Sequence, residues 1–392
     1  MKPVSGEERL ARAGLTRLCE PGDRAVRRCV LAEGHVAAHE RLRAERPDLP
    51  DAASDLRRIH ALGGRFLCPG DDEWPTRLAD LERASKTGPD GRAGEPYGLW
   101  VRGPARLATA TQLSVAVVGS RSATAYGVSV AGRLAADLAD RGWWIASGAA
   151  IGIDRAAHEA ALDSERTVAV LANGVDVAYP PENAALLRRI SRCGLLVSEV
   201  PCGVTPRRPR FLIRNRLLAA LSLGVVVVEA GVRSGALNTA RHAALLGRPL
   251  LGVPGPVTSS LSAGVHQLLR ELPEARLVTR APEIVEEVGR IGELADPLFG
   301  QGSARDGLSG ALLAVLDAVP ARRWALVATI AESARLDAPA VRAVLVALER
   351  HGLVEESAGG YRLTPLGRAP SNDPSHAPAG SAGESGRRVA GA

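Results

Sequence analysis

The sequence predicts an α/β fold: a doubly wound parallel sheet, with a helical domain before it and a small helix-and-hairpin domain after it. Three observations predict this. From Leu113 onward, short β-rich runs alternate with helical patterns of ten or so residues, as in a parallel sheet covered by helices on both faces. The first run, Val115-Ala-Val-Val118, is apolar throughout rather than alternating, as in a strand buried on both faces. It stops abruptly at Gly119-Ser-Arg121, which puts a turn at the C-terminal end of a strand. Open α/β sheets bind ligands at that edge.

Taken in order, the chain begins with helical patterns at Glu7–Cys19, Asp23–Ala32, His35–Ala44 and Ala52–Leu62, punctuated by Gly14, Gly22 and Gly34. These suit a bundle of short helices. Arg65–Ala84 reads as an extended segment, a turn and one helical turn, and Ser85–Glu95 as a surface loop. Tyr97–Arg102 is a short strand leading into the main domain. Strands follow at Val115–Gly119, Trp143–Ser147, Thr167–Leu171, Gly194–Glu199, Val225–Glu229 and Pro249–Val253. The helices between them are Val128–Arg141, Asp154–Asp163, Glu182–Ile190, Arg214–Leu221 and Ala236–Leu246. Pro282–Ile291 closes the domain, with Pro282 suited to a first helical turn. Beyond a linker come helices at Ser309–Ala318, Trp324–Ser333 and Pro339–His351, then strand, tight turn and strand over Gly352–Leu363. Three helices and a hairpin form a winged-helix pattern. The expected domains are 1–104, 105–294, a linker at 295–307, 308–366, and a disordered Pro-, Ser- and Gly-rich tail at 367–392.

The 392 residues leave room for two or three domains. No apolar run approaches the roughly 18–20 residues that span a bilayer, and the N-terminus lacks the apolar core of a signal peptide. The chain is expected to be cytoplasmic, with no membrane segment. Five cysteines, odd in number and scattered, show no CxxC pair and no zinc spacing, so neither a disulfide framework nor a metal site is expected. The net charge of +6 comes almost entirely from arginine, since lysine occurs only at Lys2 and Lys86. A polyanionic partner is permitted by that total, and local clustering decides it.

Five stretches carry candidate chemistry. Gly119-Ser-Arg-Ser-Ala-Thr-Ala-Tyr-Gly127 is neither G-x-G-x-x-G nor a Walker loop, but it joins a strand to a helix through glycine and hydroxyls. Amides at a helix start favour phosphate, and Arg121 adds a bidentate partner. Ser147-Gly-Ala-Ala-Ile-Gly-Ile-Asp154 makes a second such turn, where Ser147 and Gly148 can bring backbone near a ligand. Asp154 suits an N-cap, and His158, one turn on, leaves an acid–base pair open. Asn173–Asn183 is a rim element. Thr205-Pro-Arg-Arg-Pro-Arg-Phe-Leu-Ile-Arg-Asn-Arg216 carries five arginines, one aromatic and no acid. Arg207, Arg208 and Arg210 lead into Arg214, Asn215 and Arg216 on a packed helix start. Fixed guanidiniums beside Phe211 suit a sugar-phosphate backbone with a base on the ring. In Val228–Arg241, Arg233-Ser-Gly235 opens a helix, with Ser234, Gly235 and Thr239 placed for a further phosphate and Glu229 at a strand tip.

Together these motifs resemble the DNA-processing protein A (DprA/Smf) family. The resemblance rests on Val-Val-Gly-Ser-Arg121, Ser147-Gly-x-Ala-x-Gly-Ile-Asp-x-x-Ala-His158, Asp176-Val-x-Tyr-Pro-Pro-Glu-Asn183, Arg214-Asn-Arg-x-x-Ala-x-Leu-Ser222, Val-Val-Val-Glu-Ala230, Arg233-Ser-Gly and Val253-Pro-Gly, across Leu113–Arg270. It implies an extended Rossmann-like fold with a SAM-like N-terminal domain. It implies a single-stranded DNA binder, without catalytic residues, metal or cofactor, that protects incoming strands in natural transformation and loads RecA. It also implies a homodimer through the Rossmann-like domain. Carried over by position, Arg121 of Gly119-Ser120-Arg121 is the prime DNA contact, and Arg208, Phe211, Arg214, Asn215 and Arg216 lie in the basic rim. The chain departs from the family at Ile151 (commonly Arg), Ala172-Asn173 (usually Gly-x), Leu212 (commonly Pro) and His266 (Asn). The alternative, a nucleoside-monophosphate phosphoribohydrolase of the lysine-decarboxylase-like group, requires Pro-Gly-Gly-x-Gly-Thr-x-x-Glu, where this chain has Glu229-Ala-Gly-Val-Arg-Ser-Gly235.

Overall fold

The structure, a computed structural model, describes residues 4–84, 94–289, 308 and 310–368. The expected linker and nearly all of the expected tail lie outside them. The chain forms two compact units, residues 1–296 with 320–323, and residues 297–319 with 324–392.

The first unit opens with α1 (Gly6–Leu18), α2 (Arg24–Glu45) and α3 (Ala52–Ala61), whose N-cap side chains Ser5, Asp23 and Asp51 each accept a backbone N–H of the first turn. The two helices expected on either side of Gly34 meet there at a kink inside α2, where φ is 84°. Next come β1 (Gly64–Leu67), α4 (Asp80–Arg83), β2 (Leu99–Arg102) and α5 (Leu107–Gln112). β1 and β2 pair antiparallel, and β2 extends the main sheet.

The alternating region follows: β3 (Ser114–Val118), α6 (Ala125–Asp140), β4 (Trp144–Ser147), α7 (Ile153–Ala161), β5 (Thr167–Leu171), α8 (Ala184–Cys193) and β6 (Leu195–Ser198). It continues with α9 (Arg208–Leu221), β7 (Gly224–Val227), α10 (Gly235–Leu245), β8 (Leu250–Gly252), α11 (Ala263–Glu271), β9 (Arg276–Leu277) and α12 (Ala281–Val288). Strand order is β1-β2-β6-β5-β4-β3-β7-β8-β9, parallel from β6 to β9. This is the expected doubly wound, Rossmann-like sheet, and its order reverses between β3 and β7. β3 shows why its sequence is apolar throughout. Val115 and Val117 enter one core, while Ala116 and Val118 enter the other across the sheet.

Two differences matter. α11 and β9 were not expected, and β9 is too short to write an alternation. Helix α9 begins at Arg208 rather than Arg214, with Pro209 in its first turn. Proline is tolerated there because its missing N–H would have no intrahelical partner. The arginine run is therefore largely helix, not loop.

The second unit holds α13 (Ala311–Ala318), β10 (Ala325–Leu326), α14 (Val327–Ala334), α15 (Ala338–Arg350), the hairpin β11 (Val354–Ser357) and β12 (Gly360–Leu363), and α16 (Pro365–Arg368). β12 lies between β10 and β11. Val315, Leu316, Ile330, Val341, Leu345 and Leu348 are among its own buried core. No helix among the described residues is long and apolar enough to cross a membrane.

Candidate nucleic-acid interface

A cleft of about 530 Å³ opens at the C-terminal ends of β3, β4 and β7, where the strand order reverses. Gly119, Ser120, Arg121 and Ser122 line it from the loop after β3, and Gly148, Ala150 and Asp154 from the loop after β4. Phe211, Leu212, Arg214, Asn215 and Leu218 come from α9, and Gly231, Arg233, Ser234, Gly235, Ala236 and Thr239 from the loop after β7 and the start of α10. Ten of the residues expected at the site thus meet in one place.

The backbone of these loops is tied internally. Ser120 N–H donates to Glu229 O at 2.7 Å, and Ser120 O accepts from Ile153 N–H at 3.2 Å. Ser122 N–H donates to Ser120 Oγ at 3.2 Å. Thr124 N-caps α6, and its own N–H donates to Glu229 Oε2 at 2.9 Å. Gly148 and Ala150 N–H donate to Asp154 Oδ2 at 3.1 and 3.3 Å. The expectation that Ser120 and Gly148 amides meet an anion is therefore corrected: both amides already have protein acceptors. Glu229 is buried beneath the turn and holds it, rather than facing a ribose or base.

Cationic side chains are what the cleft offers. Arg121 is exposed, with its guanidinium 5.4 Å from the centroid of Phe211. The Phe211 ring in turn packs on Tyr179 at 5.5 Å. Tyr179 is a support that spacing alone did not single out, although the chain has only four tyrosines. Arg233 is exposed on the opposite lip. Neither Arg121 nor Arg233 hydrogen-bonds to a protein group among the described residues.

Arg214 is buried, donates through Nη1 to Val170 O, and leaves Nε without a partner. Burial lowers its pKa to about 10, with Asp154 opposing and Arg121 adding to that shift. It stays charged at neutral pH and lacks a carboxylate in direct contact, so the cleft floor is electropositive. Burial conversely raises the Asp154 carboxyl, with Arg214 opposing. Gly148 is required by packing: a Cβ there would lie 2.5 Å from Arg214 Nη1. Asn215 donates to Gly235 O and Asn238 Oδ1, fixing α9 against α10.

The remaining expected residues stand elsewhere. Ser147 is fully buried and donates to Val117 O at 2.6 Å, so it does not face a ligand. Arg216 is 1% exposed and donates through Nη2 to both carboxylate oxygens of Glu199 at 2.6 and 2.7 Å, so it belongs to the core and not to the rim. Arg210 is held by Glu20 at 2.7 and 2.8 Å. Arg207 and Arg208 are exposed beside the cleft. Asp154 and His158 form no acid–base pair: His158 is buried and faces Thr167 Oγ1 at 2.6 Å. Of the departures from the family pattern, Leu212 lines the cleft and Ile151 follows the lining residue Ala150 in the chain, both exposed. His266 contacts Gly255 O at 3.1 Å. Among the described residues no group of His, Cys, Asp and Glu has metal-binding geometry.

Comparison with known proteins gives the chain a family. The chain is 47% identical over 372 residues to the DNA processing protein DprA of Mycobacterium tuberculosis strain H37Rv, covering 91% of this chain and 94% of that one. It is 42% identical over 195 residues to protein Smf of Escherichia coli K12, covering 49% and 51%. The X-ray structure of DprA from Streptococcus pneumoniae superposes with a TM-score of 0.59 at 27% identity, covering 74% of this chain and all of that one. The family model for DNA recombination-mediator protein A matches residues 65–289. The chain therefore belongs to the DNA recombination-mediator protein A family, the DprA/Smf proteins.

Proposed function

We propose that this protein binds single-stranded DNA in the cleft between β3 and β7, and that it acts on that strand as a recombination mediator rather than as an enzyme. The observation that carries the reading is the meeting of Arg121, Arg214 and Arg233 in one cleft with a half-buried aromatic, Phe211, against which Arg121 stands, and without an acid–base pair. Guanidiniums fixed on rigid loops suit successive phosphates, and an aromatic face suits an unstacked base of any identity. Arg207 and Arg208 extend the track beyond the cleft. Gly119, Ser120, Gly148, Ser234 and Gly235 shape the site around those side chains. The phosphoribohydrolase alternative lacks its signature, because the chain carries Glu229-Ala-Gly-Val-Arg-Ser-Gly235 where Pro-Gly-Gly-x-Gly-Thr-x-x-Glu would stand.

On this reading the protein protects incoming strands during natural transformation and hands them to RecA in the cytoplasm. It works as a homodimer through the Rossmann-like domain, so that two clefts address one strand. The Leu308–Thr364 region, with its three helices and hairpin, serves as a winged helix. The test is a titration of labelled oligothymidylate across salt. Arg121→Ala should weaken binding several-fold and make the dependence of log K on log[salt] shallower by about 0.7, the value of one single-strand phosphate contact. Unchanged affinity and slope would remove Arg121 from the site, and release of free base from nucleoside monophosphates would restore the enzyme reading.

A further inference from the structure

The arginine run at the start of α9 is not uniformly available to a phosphate. Arg210 donates Nε to Glu20 Oε2 at 2.8 Å, Nη2 to Glu20 Oε1 at 2.7 Å, and Nη1 to Thr205 O at 2.9 Å. Arg207 Nη1 stands 3.9 Å from the same Glu20 Oε1. Glu20 lies in the turn between α1 and α2, 190 residues away in sequence. Pro21 of that turn shares a small cavity with Arg210 and Arg214. The first turn of α9 has no acidic residue of its own, and its N-terminal end is the positive end of the helix dipole. Glu20 thus supplies from the helical domain the counter-charge that the run lacks locally. The pair is only partly covered: the side chains of Arg207, Glu20 and Arg210 are 70%, 37% and 12% exposed.

Resting on the single-stranded DNA reading, we infer that Glu20 is an internal competitor for phosphate, which keeps Arg210 and part of Arg207 out of the DNA track. A backbone phosphate that approaches Arg207 must come close to the Glu20 carboxylate, and the like charges repel. A phosphate that engages Arg210 must first displace a bidentate carboxylate, the strongest geometry available to a guanidinium. Glu20 therefore limits how many phosphates the N-terminal end of α9 can hold. It also lets the helical domain govern the affinity of a cleft it does not line.

Salt-dependent titration of the full chain with oligothymidylate tests this. Glu20→Gln should tighten binding several-fold at low salt and steepen the slope of log K against log[salt] by about 0.7 for each arginine released. Adding Arg210→Gln to that variant should remove one such contact and return the slope toward its original value. A purely structural role for Glu20 would lower the melting midpoint and leave the slope alone. If Glu20→Gln does not fold, Glu20→Asp withdraws the carboxylate by one methylene and should steepen the slope in the same direction. A folded variant with an unchanged or shallower slope overturns the inference, as does a gain that Arg210→Gln leaves undiminished. If the unaltered chain binds no single strand, the function reading falls and this one with it. If the chain binds, and Arg121→Ala weakens it, while removal of Glu20 changes no slope, only the Glu20 inference falls.

Discussion

At the scale of single residues, the site depends on a glycine as much as on its arginines. Gly148 leaves the space that the Arg214 guanidinium fills, with Nη1, Nη2 and Cζ 2.5, 2.6 and 2.8 Å from where a Cβ would stand. The guanidinium is also bonded to Val170 O, so it cannot retreat without losing that acceptor. Gly148→Ala should therefore displace Arg214. We expect about 1–3 kcal/mol of overpacking, read as a lower urea midpoint. The loss of one charge-assisted contact, on the order of 1.5–3 kcal/mol, should appear as a tenfold or greater rise in Kd for oligothymidylate. A variant with full affinity would show that Arg214 does not touch the strand. Phe211 acts through its face and not through charge. Phe211→Ala should cost about 1–3 kcal/mol of binding, one stacked base, and leave the salt slope unaltered. An oligomer with abasic sites should bind wild type and Phe211→Ala alike, and a persisting difference between them would argue against stacking.

At the scale of elements, α9 has two characters. Its later part, Leu217–Leu221, lies in the main core, while Phe211, Leu212, Arg214 and Asn215 face the cleft. Between them Arg216 crosses into the interior to meet Glu199 and Gly94 O. Arg216→Met would leave Glu199 buried without its cation. Removing one partner of such a pair costs about 3–5 kcal/mol, so the expected result is a marked fall in the denaturant midpoint, with the salt slope of the surviving folded protein unchanged. The strands of this sheet were legible because burial on both faces writes an apolar run into the sequence. The fate of each arginine was not legible. Arg210 and Arg216 read locally as members of one basic run, and their partners Glu20 and Glu199 come from remote elements that no local spacing reveals. Helix α7 adds a pH dependence. Burial, with the Arg214 charge adding to it, lowers the His158 pKa to about 3 from an ordinary 6.5. Below 6.5 the unfolded chain takes up a proton that folded His158 refuses. The stability involved is complete above pH 6.5 and drains as pH falls toward 3, at about 1.4 kcal/mol per unit. Urea unfolding at pH 7 and pH 4.5 should show the loss, and His158→Gln, which keeps a partner for Thr167, should flatten it.

At the scale of the whole molecule, the sheet order dictates where the cleft can be. The loops after β3 and β7 diverge because the connection from β3 runs toward β4 and the connection from β7 toward β8, on opposite sides of the switch point. That much follows from the strand–glycine–helix rhythm of the sequence, which is why ten of the expected residues converge. The number of charges that reach the gap follows from burial and pairing, and it sets a quantitative expectation. Three guanidiniums in the cleft, Arg121, Arg214 and Arg233, contribute about −2 to the slope for a single strand, or roughly a twentyfold fall in affinity between 50 and 200 mM salt, and Arg207 and Arg208 on the track beyond it steepen that value. Duplex DNA presents phosphates to the exposed arginines but hides its base faces from Phe211. It should therefore bind at least tenfold more weakly than a single strand of equal length, with the deficit abolished in Phe211→Ala. If two copies place their clefts on one strand, the slope should approach twice that value, and the nucleotides covered per chain pair should double relative to a monomer. Sedimentation of the complex alongside the titration separates these cases. A slope near zero, or equal affinity for duplex and single strand, would show that the convergence of arginines around Phe211 serves something other than an unpaired strand.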